Sequence, residues 1–223
     1  VQMALTAIVP AKLSSIRVPN KNYREFFNGK SLVELVVEKL KNAGLTEIYL
    51  SCEVDTVSTL AERLGIKFVK REQSLCGNDC PIPDYIRGIV NECCPTADEV
   101  LWAQVCDPMF DDYAGFINTW EKRKENYDSS VVIYPRKAYF LDQNFQPVGF
   151  GFGNWHIKSQ CLPTHYQLPF TASILKKEAI ESTGYFVGNK PLWYEASGMM
   201  VDIDTEEDFA IAGAMYAATR KVP

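Results

Sequence analysis

The sequence predicts an α/β fold in which a largely parallel sheet carries helices on both faces. Two observations lead there. Short apolar runs alternate with helix-period segments from Leu5 to Pro135, and such β-α alternation requires crossover connections between parallel strands. The length of 223 residues, with 47% hydrophobic and 23% charged, suits one domain with a sizeable core.

The elements follow in order. "LTAIVP" is a buried strand, and "SLVELVVEKLKNAG" is a helix with Ser31 as N-cap, Glu34 completing a capping box and Gly44 ending it. "EIYLSC" is the second strand. Asp55 caps the helix "TVSTLAERLG", which stops at Gly65, and "IKFVK" is the third strand. "IPDYIRGIVNECC" has helical spacing, "EVLWAQV" is a strand, "DDYAGFINTWEKRKEN" is an amphipathic helix and "SSVVIYP" is the fifth strand. This core spans residues 1–135. Residues 136–170, rich in Gly, Pro and aromatics, leave the main sheet as strands and loops buried against something, plausibly a second subunit. Residues 171–223 return to the core through "SILKKEAIES", a strand leading into a helix, and close with "GMMVDIDTEEDFAIAGAMYAATR", a strand and a capped helix.

Composition narrows the function. A formal net charge of −5 disfavours general binding to nucleic acid or an anionic membrane, so an anionic ligand must meet a local basic site. No apolar run approaches a membrane span, and "VQMALTAIVPAK" lacks the charged start of a signal peptide. The seven irregularly spaced cysteines therefore read as reduced thiols in a cytosolic protein, without the paired spacing of a zinc site.

The stretch "IVPAKLSSIRVPNKN" supplies such a basic site. Lys12, Arg17 and Lys21 flank a turn holding Ser14 and Ser15, with no acid among them. Backbone N–H groups in such a turn cradle phosphate oxygens while the cations neutralise charge; a solvated loop before a capped helix is the alternative. The turn is neither a Walker loop nor a dinucleotide fingerprint. Near the end, "VDIDTEEDF" places Asp202 and Asp204 two residues apart, so that in a strand both carboxylates point one way, as a Mg²⁺ site requires. Alternatively Asp204 caps the last helix with Glu207 completing the box. "QVCDP" ends the fourth strand. Gln104 has donors and an acceptor for a base edge or a sugar, and Asp107 is either a third acid facing phosphates or part of the next helix's first turn.

Taken together, "PAKLSSIRVPNKN", the helix after "NGKSL", "QVCDPMF" and "MVDIDTEEDF" resemble the acylneuraminate cytidylyltransferase family, related to CMP-Kdo synthetase, over nearly the whole chain. The resemblance implies a three-layer α/β/α nucleotidyltransferase fold with an antiparallel dimerisation extension, CTP as partner, Mg²⁺ as cofactor and a homodimer. It implies that Lys12, Arg17 and Lys21 hold the triphosphate. Ser14, Asn22, Arg71 and Gln104 then contact the nucleotide, Arg71 near the cytosine, and Asp202 and Asp204 bind the metal, with Asp204 and the three cations forming the catalytic set. The acceptor is then an acidic, sialic acid-like sugar. His165, Tyr166 and Gln167, with His156, are candidates to line its pocket, although the two histidines also suit a subunit interface.

The chain departs from the family pattern at several points. Lys12 replaces an Arg, Ile16 a Lys, "VCD" a Thr-Ser pair, and Phe110 an Arg, while "HYQLPFTASILKK" lacks the family's Arg and Asn-Gly. These changes leave open another acceptor, such as a phosphonate or an alditol phosphate, or a nucleotide-binding module without catalysis.

Overall fold

A computed structural model describes residues 5–77 and 79–220. The first four residues, part of the opening stretch read for a signal peptide, lie outside the described residues. The chain runs β1 (Thr6–Pro10), β2 (Glu25–Phe27), β3 (Lys30–Ser31), α1 (Leu32–Asn42), β4 (Ile48–Cys52), α2 (Ser58–Leu64), β5 (Lys67–Lys70), α3 (Ile82–Cys93) and β6 (Glu99–Ala103). It continues through α4 (Tyr113–Arg123), β7 (Ser129–Arg136), β8 (Phe140–Leu141), β9 (Pro147–Val148), β10 (His165–Gln167), β11 (Ala172–Lys176), α5 (Lys177–Thr183), β12 (Pro191–Glu195) and α6 (Glu206–Thr219).

The main sheet has the order β10-β7-β11-β6-β1-β4-β5, with β12 also paired to β7. β1 pairs in parallel with both β4 and β6, and β5 and β12 are likewise parallel to their neighbours. β11 and β10 are the exceptions: β11 runs antiparallel between β6 and β7, and β10 runs antiparallel to β7. All five residues of β1 and all five of β6 are buried, as continuous apolar strands covered on both faces must be. One core lies beneath α1, α2, α4 and α6 and includes Val33, Val36, Leu40, Phe116 and Trp120. The other lies beneath α3 and α5 and includes Ile8, Ile86, Ile89, Trp102 and Ile180. The three-layer architecture is therefore present, and the carboxyl ends of β1, β4, β5, β6 and β7 share one edge.

Local chemistry explains most boundaries. Ser31 accepts from Glu34 N–H while the Glu34 carboxylate accepts from Ser31 N–H, closing the box at the start of α1. Gly65 ends α2 at φ 59°, in the left-handed region that favours glycine. Two expectations need correction. Asp55 does not cap α2: it lies in a 3₁₀ turn, Asp55–Val57, and its carboxylate pairs with Lys70. Residues 199–204 form no strand. The strand at that end of the chain is β12, "PLWYE", whose leading proline and mixed exposure hide its pattern. In residues 136–170, β8 and β9 form a small hairpin, β10 pairs antiparallel with the end of β7, and Phe145 and Trp155 are 77% and 76% exposed in the single chain. None of the helices is long and apolar enough to cross a membrane among the described residues.

Candidate active site

The turn after β1 opens into a cleft of about 590 Å³ at the carboxyl edge of the sheet. Such an edge, where strand order reverses, is where α/β sheets bind ligands. Here the reversal falls between β4 and β6 on either side of β1. Lys12, Ser15, Ile16, Arg17, Lys21 and Asn22 form one wall, with Tyr85, Gln104, Val105, Cys106 and Asp204 around the remainder.

The turn is held by side chains. Asn22 Nδ2 donates to Lys12 C=O at 2.8 Å, and Tyr23 Oη donates to Ala11 C=O at 2.5 Å. Asn22 is buried, and its Oδ1 has no partner among the described residues. A buried acceptor without a donor costs stability, so this oxygen at the cleft wall is suited to a ligand hydroxyl or amine. Ser14 lies outside the lining. Its N–H donates to Glu53 Oε1 at 2.8 Å, and Leu13 N–H donates to Glu53 Oε2 at 3.2 Å. The expected backbone cradle is therefore partly occupied by the protein's own carboxylate, and Ser15 rather than Ser14 faces the cleft.

The late acidic segment meets this turn through Asp204 and Ile203, whereas Asp202 does not line the cleft. Arg17 Nη2 lies 2.7 Å from Asp204 Oδ1, and Lys21 Nζ donates to Ile203 C=O at 2.5 Å. Ile203 is fully buried, and its N–H donates to Cys106 C=O at 3.0 Å, tying the segment to the loop after β6. Asp202 lies beside Cys106, where burial and then the neighbouring carboxylate push the thiol up. The capping alternative for Asp204 does not hold. Thr205 is the N-cap of α6, and Asp208, not Glu207, completes the box by accepting from Thr205 N–H at 2.8 Å. That division leaves the Asp204 carboxylate facing the cations.

Two other expectations change. Arg71 is only 3% exposed and does not line the cleft; its guanidinium donates to Ser51 C=O at 2.9 Å and to Ser51 Oγ at 3.2 Å. It lies 5.4 Å from the Tyr85 ring centre, and Tyr85 is the side chain that faces the cleft. Asp107 is no third acid facing a ligand. It is 1% exposed and accepts from Tyr134 Oη at 2.9 Å, Thr171 Oγ1 at 2.7 Å and Met109 N–H at 3.2 Å. Burial pushes its carboxyl above the ordinary range despite those donors. Phe110, where the family pattern carries Arg, is a core residue packed edge-on against Tyr113 and Phe116.

The acceptor candidates do not line the cleft. Tyr166 Oη donates to Glu195, Gln167 accepts from Arg136, and His165 packs against Phe140 with a buried Nε2 that has no partner among the described residues. His156 stacks on Tyr139 with centroids 5.3 Å apart. Sequence reasoning missed Tyr85 and Glu53. Glu53 directly follows β4, a strand's carboxyl end, which is the signal that could have raised it, whereas Tyr85 lies in α3, well after β5, and no local pattern marks it.

A basic turn opposed to an acidic segment across a cleft at the sheet's carboxyl edge defines a nucleotidyltransferase-type site. Residues 6–79 match the family model described as "Cytidylyltransferase". The chain is 25% identical over 228 residues to a pseudaminic acid cytidylyltransferase of Campylobacter jejuni subsp. jejuni serotype O:2, covering 94% of each protein, and 23% identical over 233 residues to that of serotype O:23/36, again with 94% of each covered. Its fold matches CMP:2-keto-3-deoxy-manno-octonic acid synthetase complexed with CTP, with a TM-score of 0.69 at 13% identity over 97% of this chain and 99% of that one. It also matches 4-diphosphocytidyl-2C-methyl-D-erythritol synthase from Anaerococcus prevotii, with a TM-score of 0.59 at 13% identity over 96% and 98%. The family match, the curated relatives and the shared fold together indicate a CTP-dependent nucleotidyltransferase.

Proposed function

We propose that this enzyme transfers CMP from CTP to an acidic, sialic acid-like nonulosonate sugar and releases pyrophosphate. The contact of Arg17 with Asp204 carries the reading, because it joins a phosphate-type turn to a metal-type carboxylate in one cleft. A sugar hydroxyl oxygen attacks the α-phosphorus, the bond from that phosphorus to the β-phosphate oxygen breaks, pyrophosphate departs and the hydroxyl proton passes to solvent. Such chemistry depends on alignment and charge neutralisation. Lys12, Arg17 and Lys21 bind the triphosphate, and Arg17 can grip phosphate through two parallel hydrogen bonds. Asn22 Oδ1 accepts from a nucleotide hydroxyl or amine, while Gln104 and Tyr85 border the nucleoside, with Arg71 behind Tyr85.

Mg²⁺ fits the donor set: one or two carboxylates completed by substrate phosphates and water are its usual environment. Asp204, with Asp202 beside it, would hold the ion, which neutralises developing phosphate charge when bound. The exposed aromatics of residues 136–170 and Trp193, 47% exposed on β12, support a homodimer, and the small-molecule reaction suits the cytoplasm.

The test is pyrophosphate release from CTP and MgCl₂ with pseudaminic acid, N-acetylneuraminic acid, Kdo, a phosphonate and an alditol phosphate. Release with a nonulosonate supports the proposal. Release only with the phosphonate or alditol phosphate overturns the acceptor assignment, and tight CTP binding without turnover on the whole panel favours the binding module.

A further inference from the structure

Glu53 stands directly after β4, with its carboxylate behind the basic turn. Oε1 accepts from Ser14 N–H and Oε2 from Leu13 N–H, and the Cys52 thiol lies 3.3 Å from Oε2. An acid at this place is costly for an enzyme that binds a polyanion, since like charges repel across a few ångströms. Its geometry explains its presence. Ala11 C=O and Lys12 C=O are fixed by Tyr23 and Asn22, and Glu53 fixes the next two residues through their amides. Four consecutive residues are thus pinned by side chains, with Ala11 also held through its N–H to Ser51 C=O on β4. Although burial works against ionisation, the hydrogen bonds led by that from Ser14 hold the Glu53 carboxyl at about 2, so the clamp stays charged at every physiological pH.

We infer that Glu53 is a positioning residue of the triphosphate turn: by holding the Leu13 and Ser14 amides from behind, it keeps Lys12 and Arg17 presented to the cleft. This rests on the CTP reading given above, and it adds a residue that itself touches no nucleotide. The sacrifice of two amide donors is the other side of the same contact, because phosphate recognition is left to side-chain cations and to the amides further along the turn.

The test compares Glu53→Ala and Glu53→Gln with the parent by CTP binding calorimetry, steady-state kinetics, amide hydrogen exchange and thermal melting. For Glu53→Ala, Kd and KM for CTP rise about tenfold, kcat falls less than threefold, and exchange at Leu13 and Ser14 accelerates at least tenfold while the β1 and β4 amides stay protected. Glu53→Gln, which keeps one accepting oxygen, falls between alanine and parent in both affinity and exchange. CTP affinity in Glu53→Ala equal to or tighter than the parent's overturns the proposal, since the carboxylate then only repels the nucleotide. So does faster exchange spread equally through β1 and β4, which marks general loosening. If the parent binds no CTP, the nucleotide reading fails on its own. Exchange still decides the clamp: Leu13 and Ser14 amides unprotected in the parent overturn it, and protection lost only in Glu53→Ala supports the pinning.

Discussion

Replacing Asp107 with alanine tests whether the packing behind the loop after β6 depends on one buried acid. Asp107, Tyr134 and Thr171 are each at most 1% exposed, so the two hydroxyls that lose their acceptor cannot turn to bulk water. A buried hydrogen bond to a charged group contributes about 1.5–3 kcal/mol. Two such bonds, with a smaller loss at Met109 N–H, are offset in part by removing a carboxylate that burial disfavours. The expected destabilisation is about 3 kcal/mol, or a fall of about 6–12 °C in melting temperature for a domain of this size. Thr171→Val in the Asp107→Ala background should add little, because the partner is already gone. The pH dependence has a definite sign. The folded-state pKa is raised above the ordinary 3.8, so the stabilisation is complete below that value and is lost as pH rises through the folded pKa. Asp107→Asn, which keeps an acceptor and cannot ionise, should therefore gain on the parent as pH rises from acid toward neutral. Calorimetric melting from pH 3 to 7 measures both effects. A loss below about 1 kcal/mol for Asp107→Ala, or a parent that gains stability relative to Asp107→Asn on the way to neutral pH, refutes the reasoning.

Other expectations follow from the cleft. Asp204→Ala should abolish pyrophosphate release while leaving α6 intact in circular dichroism, because Thr205 and Asp208 hold the cap; near-parent turnover would remove Asp204 from the metal site. Arg17→Ala should lower kcat/KM about a hundredfold, measured against pyrophosphate release, since an aligned charge contact in a catalytic cleft contributes on the order of 3 kcal/mol. Tyr85→Ala should raise KM for CTP about tenfold, the loss of roughly one base–aromatic contact, whereas Tyr85→Phe should retain most affinity. Thr205→Ala should cost about 1 kcal/mol in urea unfolding through the lost cap.

The features that were legible in the sequence are those set by neighbours along the chain. Ser31 and Glu34 are three residues apart, and their capping box needs no tertiary information. The basic turn after β1 is likewise a local pattern, and the order of strands and helices followed from periodicity. Ambiguity began where one residue type serves two purposes. Asp204 and Glu207 had the spacing of a cap, and only the competing Thr205–Asp208 pair decided otherwise. The least legible residues depend on which strand lies beside which. Glu53 reaches Ser14 because β4 pairs with β1, Asp107 is buried because residues from β7 and the approach to β11 close over it, and Arg71 is drawn behind Tyr85 by Ser51 on the adjacent strand. β12 was hidden for a different reason: its mixed exposure shows neither strict alternation nor a continuous apolar run.

The ion pair between Arg17 and Asp204 has a thermodynamic corollary for how the enzyme loads. Each partner already holds a counter-ion, so if Arg17 binds phosphate as proposed, a nucleotide arriving alone would have to strip it from Asp204 and leave a carboxylate beside its own phosphates. On the proposed Mg²⁺ site, magnesium arriving alone would have to displace a guanidinium. Under that proposal, when both arrive one exchange would satisfy all four charges, making the two uptakes mutually reinforcing and half-loaded states disfavoured.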